Sequence, residues 1–168
     1  MYKNFKIFIL VIIICLLITP TIFAESNDYI YLNKLGFNFL KDEEYAKSII
    51  CFKKSIKLSN DYTAAYNNLG SAYYRMGKYE KAIKYFNKVI NKEKYYVKAY
   101  VNLAACYFRQ KQYLKAYKYY HKAVNIDKQY VKERLDNKDT KNKLEKMASG
   151  NEYEKAMKIY KAEMKELE

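Results

Sequence analysis

Lysine side chains recur at fixed intervals in this sequence, and the chemistry they support is the binding of anions. The chain has 168 residues and a formal net charge of +14. Lys81, Lys84 and Lys88 are spaced i, i+3, i+7, which places three ammonium groups on one face of a helix. The same spacing returns later in the chain. It predicts a basic helix face formed by Lys81, Lys84, Lys88, Lys115, Lys118 and Lys122.

Such a face could rest on an anionic membrane surface, on an envelope polymer or on nucleic acid. A simpler explanation stays open beside these. A codon bias toward A and T raises lysine, asparagine, tyrosine and isoleucine together, and charged runs usually form an ordinary solvated face.

Residues suited to catalysis are scarce. His121 is the only histidine, and we expect it on the exposed side of its helix. The acidic run 42–44 lies at a predicted turn, where carboxylates favour the start of the next helix. No phosphate-binding loop, zinc motif or nucleophile elbow occurs in the sequence. We therefore expect no enzyme activity, no metal and no cofactor.

An internal repeat organises the elements that carry these side chains. The segments 29–62, 63–96 and 97–130 align without a gap, and leucine, tyrosine and large aromatic residues recur in register. In the second repeat the apolar residues form one stripe per helix at a period of 3.6. The pattern predicts two helices in each repeat, helix A and helix B, near 29–41 and 45–58, 63–76 and 79–91, and 97–110 and 113–126.

This pattern resembles the tetratricopeptide repeat family. The resemblance rests on Leu69, Gly70, Tyr73, Gly77, Tyr79, Ala82 and Phe86 and on their counterparts one repeat away. It implies an all-α solenoid of helix–turn–helix units wound into a right-handed superhelix. It also implies a non-catalytic scaffold that binds a protein through a concave groove lined by helix A. The family's proline after helix B is absent from all three repeats, so those helix ends are less sharply set.

The resemblance assigns groove positions to residues of helix A. Lys41, Arg75 and Arg109 form a basic series, and Leu40, Tyr74 and Phe108 form an apolar one. Asn68 and Asn102 could hydrogen-bond a peptide backbone. The resulting groove suits an extended protein segment with acidic and apolar side chains. The other interpretation is that the charges are solvated and the rings partly core. The groove residues are Lys34, Lys41, Asn68, Tyr74, Arg75, Lys98, Asn102, Phe108 and Arg109.

Some members of the family bind the acidic C-terminus of heat-shock chaperones. This sequence keeps Asn68 and Lys98 of that pattern. It departs at Asn33, Phe37 and Asn102, where the pattern has lysine, asparagine and arginine. The departures argue against that ligand.

The N-terminal segment, 1–24, differs from the rest of the chain. Lys3 and Lys6 precede an apolar run, 7–18, and Ala24 offers a cleavage site. This order predicts a secretory signal peptide, with an exported, periplasmic or secreted product. The alternative is an uncleaved membrane anchor over residues 7–24. Export makes nucleic acid the weaker candidate partner.

After Tyr130 the register fails, and residues 131–143 are too polar for a core helix. A tetratricopeptide-like pattern then returns near Gly150 and Tyr153. We interpret 131–168 as a divergent fourth repeat that caps the array.

Cys51 and Cys106 lie in the first and third repeats. In a solenoid each repeat contacts only its neighbours, so these two cysteines are too far apart for a disulfide. We therefore expect two free, packed thiols.

Overall fold

The computed structural model describes residues 28–135, together with Glu154 and Lys158, which are helical. The predicted signal peptide or anchor at 1–24, and most of the predicted cap at 131–168, lie outside the described residues. Every regular element within 28–135 is a helix. Of the helices described there, none has both the length and the hydrophobicity to cross a membrane.

Seven helices follow one another between residues 28 and 135, and their bounds recur from each repeat to the next. The first, α1, covers residues 28–41. The helix B elements begin at Tyr45, Tyr79 and Tyr113, and all six predicted helices agree with the structure to within one residue at each end. The remaining helices are α2 (Tyr45–Leu58), α3 (Thr63–Arg75), α4 (Tyr79–Lys92), α5 (Val97–Arg109), α6 (Tyr113–Ile126) and α7 (Lys128–Leu135).

The chain divides into two compact units, and the first ends at Ala65. In this unit Phe52 is fully buried, and its ring lies against Gly36. The hydroxyl of Ser55 donates a hydrogen bond of 2.7 Å to the carbonyl oxygen of Tyr29. The rings of Tyr29 and Tyr62 meet edge to face at 4.9 Å. The Phe52 and Ser55 contacts join α1 to α2, and the Tyr62 contact joins α1 to the turn that follows α2.

The second unit begins at Tyr66 and repeats the same packing. Phe86 of α4 is fully buried beside Gly70 of α3. A Cβ atom at Gly70 would lie 2.6 Å from the Phe86 ring, so only glycine allows this approach. Helix α5 packs against both α4 and α6, and its Leu103 and Cys106 are fully buried.

Helix α7 corrects one expectation. The polarity of residues 131–143 argued against a core helix there, yet α7 extends to Leu135. Val131 is buried and joins a cluster with Tyr100 and Ala123. The side chain of Asp127 accepts a 2.8 Å hydrogen bond from the Tyr130 backbone N–H, which starts the helix. The buried Val131, with the partly buried Tyr130 beside it, therefore docks this short helix.

The turns between helix A and helix B share one backbone conformation. Glu43, Gly77 and Lys111 occupy the same position of the three repeats, and their φ angles are 62°, 73° and 62°. At Gly77 and Lys111 the turn closes with the two hydrogen bonds of a Schellman motif. This left-handed conformation suits glycine and costs other residues about 1–2 kcal/mol.

The turn conformation leads to the first prediction. Lys111→Gly should stabilise the protein by up to about 1 kcal/mol. The substitution relieves the strain of a left-handed φ angle, and this effect is larger than the opposing effect of glycine's greater conformational entropy in the unfolded chain. Gly77→Ala should destabilise it by about 1 kcal/mol through conformation alone, since no atom lies within 4 Å of the added Cβ. Urea denaturation measures both changes.

A neighbouring lysine supplies the control. Lys78 has an ordinary φ of −86°, so Lys78→Gly should destabilise the protein. If Lys78→Gly and Lys111→Gly change the free energy of unfolding in the same direction, the turn argument is wrong.

Candidate functional site

Two side-chain contacts join α3 to α5 along their helix A faces. The Asn102 amide donates a hydrogen bond of 3.1 Å to the Asn67 side-chain oxygen. Further along, the Arg109 guanidinium lies near the Tyr74 hydroxyl, and its positive charge acts on that group. In both pairs the separation along the chain is one residue more than the repeat length. Helices α3 and α5 therefore meet with a shift of one residue.

Tyr74 is the half-buried centre of this face. Burial raises the pKa of its hydroxyl above the usual value, although the charge and the hydrogen bond of Arg109 act in the opposite direction. The Tyr74 ring packs against Tyr79 at 5.6 Å, and Phe108 packs against Tyr113 edge to face at 5.4 Å. Tyr74 and Phe108 are thus each packed against the first residue of the following helix.

The predicted groove residues fall in both units. In the first, Lys34 and Lys41 are exposed, and the Lys41 ammonium lies 5.0 Å from the centre of the Phe37 ring. In the second unit the arginines and Lys98 are exposed, whereas the amides and rings are half-buried. The groove residues of the second unit are Asn68, Tyr74, Arg75, Lys98, Asn102, Phe108 and Arg109.

One detail of the predicted groove needs correction. Leu40 is only 6% exposed, so it belongs to the core rather than to an apolar series open to a ligand. The contact between Asn102 and Asn67 is a further feature, which the sequence did not predict. The alignment compares identical repeat positions and therefore pairs residues that are one repeat length apart. The helices bring into contact residues that are one position further apart, and no single repeat carries a signal for that shift.

The six predicted lysines of helix B are all exposed, and four of them lie over tyrosine rings. In the second repeat Tyr73 and Tyr85 stack at 5.5 Å, with Lys81 over the first ring and Lys88 over the second. The third repeat has the same arrangement. We call these the tyrosine–lysine clusters; the second one comprises Tyr107, Tyr119, Lys115 and Lys122.

His121 is not exposed as expected. It is half-buried, its ring lies 4.3 Å from that of Tyr117, and its Nε2 is 2.5 Å from the Tyr117 hydroxyl. A structural role in α6 explains this contact. Among the residues that the structure describes, no group of histidine, cysteine and acidic side chains could hold a metal ion.

Both predicted thiols are free and buried. Cys106 is fully buried in the second unit. Burial raises the pKa of its thiol to about 12, and the negative charge of Glu80 acts in the same direction. Burial also raises the pKa of Cys51, against a smaller opposite effect of Lys54. Both thiols therefore stay protonated at neutral pH and are unsuited to nucleophilic chemistry.

The buried Cys106 makes stability depend on pH. Between pH 9.0, where an unperturbed thiol ionises, and about 12, the unfolded chain releases a proton that the folded chain keeps. Stability should therefore be complete below pH 9 and fall as the pH rises toward 12. Denaturant titrations at several pH values should show this fall, and Cys106→Ala should make it less steep.

Thiol labelling gives an independent check. At pH 8 a thiol reagent should modify both cysteines only as fast as the protein unfolds. Rapid modification of Cys106 in the native protein would contradict the buried, protonated thiol.

The sequence matches two family models that describe repeats of one kind. One, the tetratricopeptide repeat, matches residues 63–93 and 97–130. The other, a TPR repeat model, matches residues 38–77. Together they cover more than half of the chain. The protein belongs to the tetratricopeptide repeat family, which is generally a non-catalytic protein-interaction fold.

Solved structures support the same fold. The first TPR of Spaghetti (RPAP3), bound to the HSP90 peptide SRMEEVD, is 24% identical, with a TM-score of 0.61 over 73% of this chain and 92% of that one. The first TPR domain of human RPAP3 is 21% identical, with a TM-score of 0.62 over 81% and 97%. The TPR2B domain of yeast Sti1, in a complex with an Hsp70 peptide, is 18% identical, with a TM-score of 0.59 over 78% and 97%. A search of curated protein sequences finds no significant match.

Proposed function

We propose that this protein is a non-catalytic scaffold that binds an extended protein segment, with acidic and apolar side chains, along its helix A face. The observation that carries the proposal is the arrangement of two exposed arginines, Arg75 and Arg109, next to two half-buried rings, Tyr74 and Phe108, at matching positions of α3 and α5. The rings offer apolar surface and the guanidinium groups offer paired donors for a carboxylate.

The use of arginine supports this function. The chain has only three arginines among its 32 basic residues, and two of them are Arg75 and Arg109, at the same position of consecutive repeats. A codon bias that favours lysine does not account for arginine at these two sites. Arginine presents a planar pair of donors that matches a carboxylate, whereas lysine offers a point charge.

The other groove residues suit the remainder of such a segment. Tyr74 and Phe108 are half-buried rings against which an apolar side chain can pack. The Asn102 amide spends one N–H on Asn67 and retains a second N–H and its carbonyl oxygen for a peptide backbone. Lys98 adds an exposed positive charge on the same helix.

The similar structures support a peptide ligand. The residues of this chain favour a peptide other than the one bound in those structures. Two TPR domains of Spaghetti (RPAP3) are bound to the acidic HSP90 peptide SRMEEVD. This chain has Asn33, Phe37 and Asn102 at positions where the chaperone-binding pattern has lysine, asparagine and arginine. We therefore propose an acidic partner that places its carboxylates near Arg75 and Arg109 rather than at those three positions.

A second candidate function is binding to an anionic surface, either lipid or envelope polymer, through the lysines of helix B. The observation that favours it is the exposure of all six lysines on α4 and α6. The two functions use different elements, so single variants separate them.

We further propose that the protein is exported or retained at the cell envelope. The support is the order of side chains within 1–24: two lysines, an apolar run, Pro20 and a small residue at Ala24. Intact-mass measurement of the protein purified from its native source should give a chain that begins at Glu25. A mass that includes residues 1–24 in an extracted membrane fraction would favour the anchor.

The groove is tested by titration calorimetry with extended peptides that combine acidic and apolar residues. Arg109→Ala and Arg75→Ala should each weaken binding by about 1–3 kcal/mol, because a partly buried carboxylate loses a charge-assisted hydrogen bond. Tyr74→Phe should weaken binding less than Arg109→Ala does, since it keeps the apolar ring and removes no charge. Helix content should not change.

Lys84→Ala and Lys118→Ala are the matched controls, because they remove one exposed charge each from helix B. They should leave the affinity nearly unchanged at moderate salt, where the Debye length is about 8–10 Å. If these lysines matter and the arginines do not, the groove proposal is wrong and the second candidate replaces it.

A further inference from the structure

The two tyrosine–lysine clusters hold four ammonium groups in defined places. The distances from ammonium to ring centre are 5.7 Å for Lys81 over Tyr73 and 5.8 Å for Lys88 over Tyr85. In the third repeat they are 5.4 Å for Lys115 over Tyr107 and 5.8 Å for Lys122 over Tyr119. Cation–π attraction restricts these otherwise flexible side chains. Lys84 and Lys118 stand between the fixed pairs, so each helix presents three charges in a row.

These charges have few acidic neighbours on their own helices. Helix α6 contains no aspartate or glutamate, and α4 contains only Glu80, whose carboxylate accepts a hydrogen bond from Gln110. Like charges at i, i+4 destabilise a helix. The same unfavourable row nevertheless occurs twice, at equivalent positions. An anion that spans several charges would relieve the repulsion.

The apolar surface needed to enter a bilayer is missing from these helices. The structure describes α4 and α6 in full, and neither exposes a large hydrophobic side chain. Peripheral membrane helices bind by burying an apolar face in addition to attracting anionic lipid. A core of a protein–protein interface would also need apolar residues here. The face therefore fits a hydrated polyanion better than either.

The tyrosines do not offer free faces to nucleobases. Tyr73 is stacked on Tyr85 with an interplanar angle of 7°, and Tyr107 on Tyr119 with 13°. Each of these rings also lies beneath an ammonium group. Proteins that bind single-stranded nucleic acid stack bases on exposed aromatic rings. Here the ring faces are already occupied, so the bases of a nucleic acid would add little.

We propose that α4 and α6 together bind a linear phosphodiester polymer that lacks nucleobases, such as a polyol phosphate. Neither helix contains arginine, so recognition does not use a planar pair of donors. Lysine binds phosphate as a point charge, and a chain with one permanent charge per unit can meet successive ammonium groups. The site is independent of the helix A groove.

The test uses fluorescence anisotropy of the full chain with labelled poly(glycerol phosphate) freed of lipid. The logarithm of affinity should fall linearly with the logarithm of salt concentration, by about 0.7 for each lysine engaged. Lys88→Gln with Lys122→Gln should weaken binding and reduce that slope by about 1.4, since two charges are lost. Lys53→Gln with Lys57→Gln removes two exposed charges from α2 and should leave the slope unchanged.

The rings are tested without changing the charge. Tyr85→Leu with Tyr119→Leu removes the ring beneath Lys88 and Lys122, and it should weaken binding by about threefold while the salt slope stays the same. Tyr85→Phe with Tyr119→Phe keeps both rings and should leave binding within about twofold. Circular dichroism and thermal unfolding check that each variant is folded.

Other ligands decide between the alternatives. An abasic oligonucleotide and an oligothymidylate of equal length should bind equally. Arg109→Ala should leave polymer binding within about twofold, which separates this site from the groove. The proposal is overturned if the α2 variant weakens binding as much as the helix B variant. It is also overturned if the thymidylate binds more than about tenfold tighter than the abasic chain. The proposal would also be overturned if the protein bound phosphatidylglycerol vesicles more tightly, per phosphate, than it binds poly(glycerol phosphate).

Discussion

Helix A and helix B approach so closely at Gly36 and Gly70 that no other residue fits. A Cβ atom there would lie 2.8 Å from the Phe52 ring or 2.6 Å from the Phe86 ring. Both phenylalanines are fully buried as a result. This contact fixes the rotation of each helix about its axis and so decides which side chains face outward. The third repeat has Ala104 and Tyr120 at these positions, both half-buried, which indicates looser packing there.

Because the contact fixes both helices, one repeat presents a helix A face and a helix B face. The two faces carry different cationic side chains. The helix A face carries arginine, and the Arg109 guanidinium lies near the Tyr74 hydroxyl. The B face carries lysine, restricted at four positions by rings. A guanidinium beside a hydroxyl favours directional hydrogen bonding, and an ammonium over a ring favours charge without direction. The difference is why we assign a peptide carboxylate to one face and phosphodiesters to the other.

The sequence predicts the helices far better than it predicts the site. Each repeat is a nearly independent unit of local structure, so periodicity alone locates the helix ends. The pairing of Asn67 with Asn102 depends on how two repeats pack, and alignment by repeat position misses it. Val131 shows a similar limit, because its partner Tyr100 lies two helices earlier in the sequence. The half-burial of His121 was also missed. It depends on the neighbouring Tyr117 ring, and the hydropathy of the sequence does not report such a contact.

The one-residue shift between consecutive A helices affects how such a protein can evolve. Asn67 and Tyr74 find their partners in the next repeat, so the proposed groove belongs to the boundary between two repeats and not to either one. Duplicating or exchanging a single repeat would therefore create new pairs on both of its sides at once. A change of ligand preference could then arise by recombination of whole repeats, while the packing glycines within each repeat stay untouched.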